Sequence, residues 1–261
     1  MLHGLLTASG LRARGRRNAL DIRVRHHEMV LPRLPLSFDG FRLLHLSDLH
    51  ADAGIAWGEA LVAVLRTVEC DACVLTGDYR FDVKGSCAPT IAALERIVPA
   101  LPQPAFAVLG NHDGFAIAEA LEGLGVRMLM NERATLQRGD AALHIAGIDD
   151  AHYFRTHDIA RAAAGLSPDD CAVLLSHTPE PYREAAAQGF ALMLSGHTHG
   201  GQICLPGGIP VLTDARAPRR LARGAWREGA MQGYTSRGCG CSMIDARFFC
   251  LPEITLHVLR R

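Results

Sequence analysis

Lysine is all but absent from this chain: Lys84 is the only one, and the other strongly basic side chains are all arginine. A guanidinium presents a planar fork that suits phosphate oxygens, but a bias spread over the whole length is read as codon preference rather than as a phosphate signature. Net charge is lacking too, with 27 basic against 27 acidic side chains, so bulk electrostatics point to no polyanionic partner and nucleic acid is not expected. No apolar run approaches the ~20 residues that cross a bilayer, and the start lacks the unbroken apolar stretch of a signal peptide. The expectation is a soluble, cytoplasmic chain. Its eight cysteines are then expected as reduced thiols. The Cys70-Asp71-Ala72-Cys73 spacing finds no matching second half, so a zinc knuckle is not expected.

What is present points to a folded enzyme-sized unit. With 49% hydrophobic and 21% charged residues, a filled core is available and wholesale disorder is excluded. The 261 residues read as one domain over 36–261 behind a basic leader over 1–35. Arg12, Arg14, Arg16, Arg17, Arg23, Arg25 and Arg33 crowd that leader. It is expected as a solvated tail whose one membrane role is a peripheral contact with the anionic inner membrane. No obligate protein partner is indicated.

From residue 40 short apolar runs alternate with amphipathic stretches, the pattern of βαβ units in an α/β protein. Strands are expected at Phe41–Ser47, Ala72–Thr76, Ala105–Leu109, Ala191–Ser195 and Glu253–Leu259, and helices at Trp57–Val68, Ile91–Val98 and Pro181–Ala187. Thr135–Gln137 and Ala142–Ala146 flank a hairpin turn at Arg138-Gly139-Asp140. Residues 206–225 read as a long loop. There is no internal repeat.

Five of the apolar runs end in clusters of metal-ligand residue types: Ser47-Asp48-Leu49-His50, Gly77-Asp78, Gly110-Asn111-His112-Asp113, Ser176-His177 and Ser195-Gly196-His197-Thr198-His199. Ligands in open α/β sheets bind beyond the carboxyl ends of strands, where loops converge, so five such ends can build one site. In extended backbone residues i and i+2 point the same way, which would let Asp48 with His50, and His197 with His199, each aim two groups at one region. Glycines 77, 110, 196, 200 and 201 allow tight turns and close approach. Taken singly, Asp-Leu-His or Gly-Asp is an ordinary turn; all five in order are not. A mixed carboxylate, imidazole and amide set suits Mn, Fe, Zn or Co.

With these motifs the sequence resembles the calcineurin-like metallophosphoesterase superfamily over about residues 36–260. It is similar more closely to a bacterial subgroup of phosphohydrolases related to UDP-2,3-diacylglucosamine pyrophosphatases. That finer match rests on Phe38-Asp39-Gly40-Phe41-Arg42, Gly196-His197-Thr198-His199-Gly200-Gly201-Gln202-Ile203, Ser236-Arg237-Gly238-Cys239-Gly240 and Pro252-Glu253-Ile254. Members of that subgroup often carry an N-terminal membrane anchor, and none is expected here.

The resemblance implies a four-layer α-β-β-α sandwich with a dinuclear metal site at its strand ends. It implies two divalent ions, one held by Asp48, His50, Asp78 and His199, the other by Asp78, Asn111, His177 and His197. It assigns His112 to the leaving oxygen. The implied activity is hydrolysis of a phosphodiester or pyrophosphate bond in a small phosphorylated substrate, such as a nucleotide-linked lipid precursor. A broad phosphomonoesterase or nuclease is the alternative, and a non-catalytic scaffold the third reading. His45 is expected as a packed residue, His26 and His27 as part of the leader, and His257 as part of the last strand. Asp149, Asp150 and His152 sit where they can border the site. Arg216, Arg219, Arg220 and Arg237 are read as solvated surface.

Overall fold

The computed structural model describes residues 10–261. Helix α1 (Leu11–Leu20) and strand β1 (Arg23–Val30) precede β2 (Phe41–Leu46), α2 (Ile55–Leu65), β3 (Ala72–Leu75), α3 (Ala88–Ile97), β4 (Ala105–Ala107), α4 (Phe115–Gly123) and β5 (Arg127–Met128). The second half runs through β6 (Glu132–Arg138), β7 (Ala141–Gly147), α5 (Ile159–Ala163), β8 (Ala172–Leu175), α6 (Tyr182–Ala187) and β9 (Leu192–Ser195). A short hairpin β10 (Cys204–Leu205) and β11 (Ile209–Pro210), a longer one β12 (Gly224–Glu228) and β13 (Met231–Thr235), and β14 (Glu253–Arg260) complete it.

Two six-stranded sheets result, ordered β1-β14-β2-β3-β4-β5 and β12-β13-β9-β8-β7-β6. Strands β2 to β5 run parallel, as do β7, β8, β9 and β13. The two-residue period of a strand sorts side chains into layers. Leu43, Val74, Val173, Leu175, Leu192 and Leu194 pack between the sheets. Leu44, Leu46, Cys73 and Leu75 face the other way, onto Leu61, Leu94, Ile97, Ile117 and Leu121 of α2, α3 and α4. Ala172, Leu174 and Met193 likewise meet Ile159, Tyr182 and Ala185 of α5 and α6. Three apolar fillings therefore separate four layers, helix on sheet on sheet on helix, which is the architecture the motifs implied. Among the described residues no helix is long and apolar enough to cross a membrane.

The leader departs from expectation. Residues 1–9 lie outside the described residues, but β1 pairs with β14 in parallel over eight residues, from Arg23↔Glu253 to Val30↔Arg260, and Met29, Leu31 and Leu34 are buried. The charge-rich run Arg-Val-Arg-His-His-Glu hid a strand because an edge strand keeps one side in water and is commonly charged. Arg25 lies 2.7 Å from the buried carboxylate of Glu253, so the stretch from Arg23 to Val30 is a strand of the sheet and not a solvated tail. Strands β12 and β13 were also unread, and the expected loop at 206–225 contains β11 and the first residues of β12.

A consequence can be tested by truncation. Burying Met29, Leu31 and Leu34 contributes roughly 1.5–3 kcal/mol each, comparable in sum to the ~5–15 kcal/mol stability of a whole domain. Deleting residues 1–34 is expected to abolish cooperative thermal unfolding. A shortened chain starting at residue 35 that melted like the full one would contradict the role of β1.

Candidate metal centre

Because the sheets stack with the relevant strands running the same way, β2, β3 and β4 of one and β8 and β9 of the other release their chains on one edge. The loops are tied together there by main chain. The N–H of Asp48 donates to Gly77 O at 2.9 Å, that of His50 to Asp78 O at 3.0 Å, and that of Gly196 to His177 O at 2.8 Å. The side chains do not converge through extended backbone as the i, i+2 spacing suggested. Asp48, His50, Asp78, His197 and His199 have φ between 44° and 69°, the left-handed region that non-glycine residues rarely enter. Each chain curls as it leaves its strand and turns its side chain back into the centre. Glycine keeps the space open at two points: a β-carbon on Gly110 would run into the Asp78 carboxylate, and one on Gly196 into Ser47 Oγ and Asp48.

The seven side chains singled out from the sequence as metal-ligand types gather in two adjoining sets. In the first, His199 Nε2 is 3.6 Å from Asp48 Oδ1 and 3.1 Å from His50 Nε2. In the second, His177 Nε2 is 3.3 Å from Asp78 Oδ1, 3.0 Å from Asn111 Oδ1 and 3.2 Å from His197 Nδ1. Asp78 faces both, since its Oδ2 lies 4.0 Å from His50 Nε2. Asp48, His50, Asp78, His177, His197 and His199 are all more than nine-tenths buried.

Such a set fits divalent cations on its own chemistry. His50 Nδ1 donates to Arg80 O at 2.6 Å and His177 Nδ1 to Thr76 O at 2.7 Å, which aims each Nε2 inward, the arrangement that orients a metal-bound imidazole once that nitrogen is unprotonated. Burial and neighbouring charge act on these groups in opposite directions. Burial lowers His50 to about 4 and His197 to about 3, and pushes Asp48 up to about 6. Burial acts against charge on His177 as well, but Asp78 and Asp48 outweigh it and raise His177 to about 10. Burial also opposes charge on Asp78, and the His177 imidazolium beside it prevails and holds it well below the carboxylate range. A proton on His177 thus stands in for positive charge among buried carboxylates.

His112 belongs to neither set by spacing, and the structure places it at their margin. Its N–H donates to Asp78 Oδ1 at 3.0 Å, its Nε2 is 3.9 Å from Asp78 Oδ2, and 22% of its side chain is exposed. A buried neighbour, Asp113, accepts from the N–H groups of Asp78, Tyr79, Arg80 and Gly110 and so locks the β3 and β4 loops together. His152 does border the site: its ring lies 4.4 Å from that of His197, and its Nδ1 is 2.8 Å from Glu180 Oε1. Asp149 and Asp150 serve the backbone of that loop instead.

Two residues were missed. Glu180 follows His177 by three and carried no signal beyond that. Arg247, wholly buried, donates to the carbonyls of Gly238, Gly240, His199 and Cys250, clamping the 238–250 loop onto His199; nothing in its sequence neighbourhood marked it. Arg237 is not solvated surface, for it lies 3.2 Å from buried Glu253. His45 is packed as expected, with Nε2 2.9 Å from Thr76 Oγ1. His27 is drawn against Tyr234, with ring centroids 5.3 Å apart. A cavity of about 580 Å³ opens between α2 and α3, and none of the seven ligand-type residues lines it.

Comparison with known proteins accords with this geometry. The profile described as calcineurin-like phosphoesterase matches residues 41–201. The chain is 29% identical over 252 residues to the uncharacterized metallophosphoesterase YkuE of Bacillus subtilis, covering 92% of this chain and 86% of that one. It is 28% identical to the phosphodiesterase YaeI of Escherichia coli, over 88% of this chain and 87% of that one. To the UDP-2,3-diacylglucosamine pyrophosphatase LpxG of Chlamydia trachomatis it is 24% identical, over 90% and 88% respectively.

The charge arrangement yields a test by metal removal and return. A cation entering at His177 Nε2 displaces the proton held there up to about pH 10, so proton release accompanies binding at pH 7. The sign follows: a group protonated in the metal-free state makes apparent affinity rise with pH, by about one decade per unit per proton released, until pH passes its pKa. Titrating Mn²⁺ into chelator-treated protein by calorimetry should give enthalpies that differ between buffers of different ionisation heat. Equal enthalpies in both buffers would mean that no proton leaves.

Proposed function

Since the chain belongs to the calcineurin-like phosphoesterase family and is a metal-dependent phosphoesterase, we propose that it hydrolyses a phosphodiester or pyrophosphate bond. The proposed substrate is a small phosphorylated molecule, with a nucleotide-linked lipid precursor as the specific candidate. The observation that carries the reading is Asp78, whose two carboxylate oxygens face separate donor sets and which bears His112 on its open side. Relatives named as a phosphodiesterase and as a pyrophosphatase support the bond type.

Asp48, His50, Asp78 and His199 would hold one cation, and Asp78, Asn111, His177 and His197 a second. Two divalent ions of the Mn, Fe, Zn or Co kind would supply Lewis acidity toward the phosphoryl group and toward water. The remaining work falls to the chain. The Asp78 carboxylate would offset repulsion between two like charges bound on either side of it. Carbonyls of Arg80 and Thr76 fix the rings of His50 and His177 before substrate arrives, so no reorganisation is needed when charge builds on phosphorus. His112, oriented by Phe81 O at 3.3 Å from its Nδ1, offers Nε2 as the proton donor to the departing oxygen. No side chain need become phosphorylated.

Replacing His112 by Asn is expected to lower kcat about 10²–10⁴-fold, the usual worth of a positioned proton donor, while elemental analysis still finds the metal content of the parent. A parallel loss of metal would reclassify His112 as a ligand. With added Mn²⁺, bis-p-nitrophenyl phosphate should turn over faster than p-nitrophenyl phosphate. Preference for the monoester would overturn the diester reading in favour of a phosphomonoesterase.

A further inference from the structure

Six large apolar side chains exposed to water, Tyr153, Phe154, Leu205, Ile209, Leu212 and Phe249, lie on segments that adjoin the ligand-type histidines. Leu205 and Ile209 face each other across the β10–β11 hairpin, which leaves directly from the loop of His199. Phe249 joins them because Cys204 N donates to Phe248 O at 2.9 Å. Leu212 lies beyond the hairpin, its carbonyl oxygen against Gly201, and is 72% exposed. The chain then reaches Arg216, whose N–H donates to Glu180 Oε1 at 2.7 Å, the same oxygen that lies 2.8 Å from His152 Nδ1. Next to His152 stand Tyr153, 71% exposed, and Phe154, 55% exposed. Hydrogen bonds therefore link these segments into one continuous rim, bordering His199 at one end and His197 at the other.

The rim is built, not frayed. Asp150 is 99% buried by its 1% exposure, and its carboxylate accepts the N–H groups of Tyr153 and Phe154 at 2.6 Å each. A buried carboxylate is thus committed to a turn that presents two aromatic rings to solvent. Isolated exposed apolar residues need no explanation, but a run of them on one face marks an interaction surface.

Charge decides between occupants. Between Leu212 and the start of β12 the loop carries Arg216, Arg219, Arg220 and Arg223 against the single acid Asp214, and Arg216 and Arg219 are exposed with no carboxylate partner among the described residues. Of the leader's arginines, Arg16, Arg23 and Arg25 are paired with Asp245, Asp21 and Glu253, while Arg14 and Arg17 on α1 are exposed without a carboxylate partner among the described residues, so the loop's distinction is that its free arginines sit beside exposed apolar side chains next to the ligand-type histidines. Apolar and aromatic side chains interspersed with unpaired arginines match a lipid surface, where the former enter the interface and the latter meet anionic headgroups.

We propose that the protein docks on anionic membrane through this rim, with its metal centre facing the bilayer. Docking stands independently of which bond is cleaved, since it is read without turnover. The test uses the full-length, metal-loaded protein and sedimentation with vesicles of phosphatidylcholine containing one part in three of phosphatidylglycerol. The parent should partition onto these vesicles. The triple variant Leu205→Ser, Leu212→Ser, Phe154→Ser should partition about tenfold or more weakly, given what burying such side chains contributes, and Arg216→Gln with Arg219→Gln should lose about tenfold on anionic vesicles alone. Both variants should keep the parent's thermal midpoint and its turnover of bis-p-nitrophenyl phosphate in solution. Failure of the parent to bind vesicles, or equal binding by the triple variant, would overturn the proposal. So would light scattering that finds a dimer in the parent and a monomer in the triple variant, because the rim would then pair two copies of this chain.

Discussion

The structure is organised around the difficulty of crowding buried acceptors at one point. Two carboxylates, an amide and four imidazoles converge within a few ångströms, and burial penalises charge on nearly all of them. Main-chain N–H groups relieve part of that cost, since Asp48 accepts from His197 at 3.0 Å and Asp78 from His112 at 3.0 Å. The proton on His177 relieves another part. Five ligand-type residues also sit in left-handed backbone, at an expected ~1–2 kcal/mol each. Strain of this kind persists where surrounding structure over-determines it, and here two sheets and three apolar layers do so.

The same constraint explains what could be read in advance. A strand that must end in a ligand-bearing turn leaves a local record: an apolar run, then Gly, Asp, Asn or His within two or three positions. Asp78, Asn111, His177 and the His197/His199 pair were legible for that reason, and so were the central strands that carry them. Direction was not legible. The alternation argument for Asp48 and His50 reached the right convergence through the wrong backbone, because φ at a single turn residue leaves no periodic signal.

Elements at the sheet edges were harder to read. Strand β1 presents arginines and histidines to water along one side, and its pairing with β14 joins residues more than two hundred positions apart. Nothing within the run Arg23–Val30 announces that partner. Strands β12 and β13 lie at the opposite edge of the other sheet, where Gly233 makes room for the Trp226 ring, a packing relation invisible from a glycine alone. Arg247 and Glu180 were silent for a related reason. Each acts through carbonyls or a histidine supplied by a distant segment, and neither residue type nor spacing encodes that.

The histidines show how far position outweighs residue type. His45 and His257 lie fully buried between the sheets, with ring centroids 5.7 Å apart, and burial drives His45 down to about 3 and His257 well below the usual histidine range. They are neutral packing elements although the ligand-type residues Asp48 and His50 follow just beyond the end of β2. His50, five positions after His45, is equally buried and equally discouraged from carrying a proton. The difference is what each ring faces. His45 meets Thr76 and other rings, groups that ask nothing of its second nitrogen. His50 fixes one nitrogen on a carbonyl and turns the other toward Asp78 and His199. Desolvation keeps both rings neutral, and in His50 that same neutrality leaves a lone pair aimed at Asp78 and His199, so one physical effect yields core filling on one side of the strand end and a ligand-type nitrogen on the other.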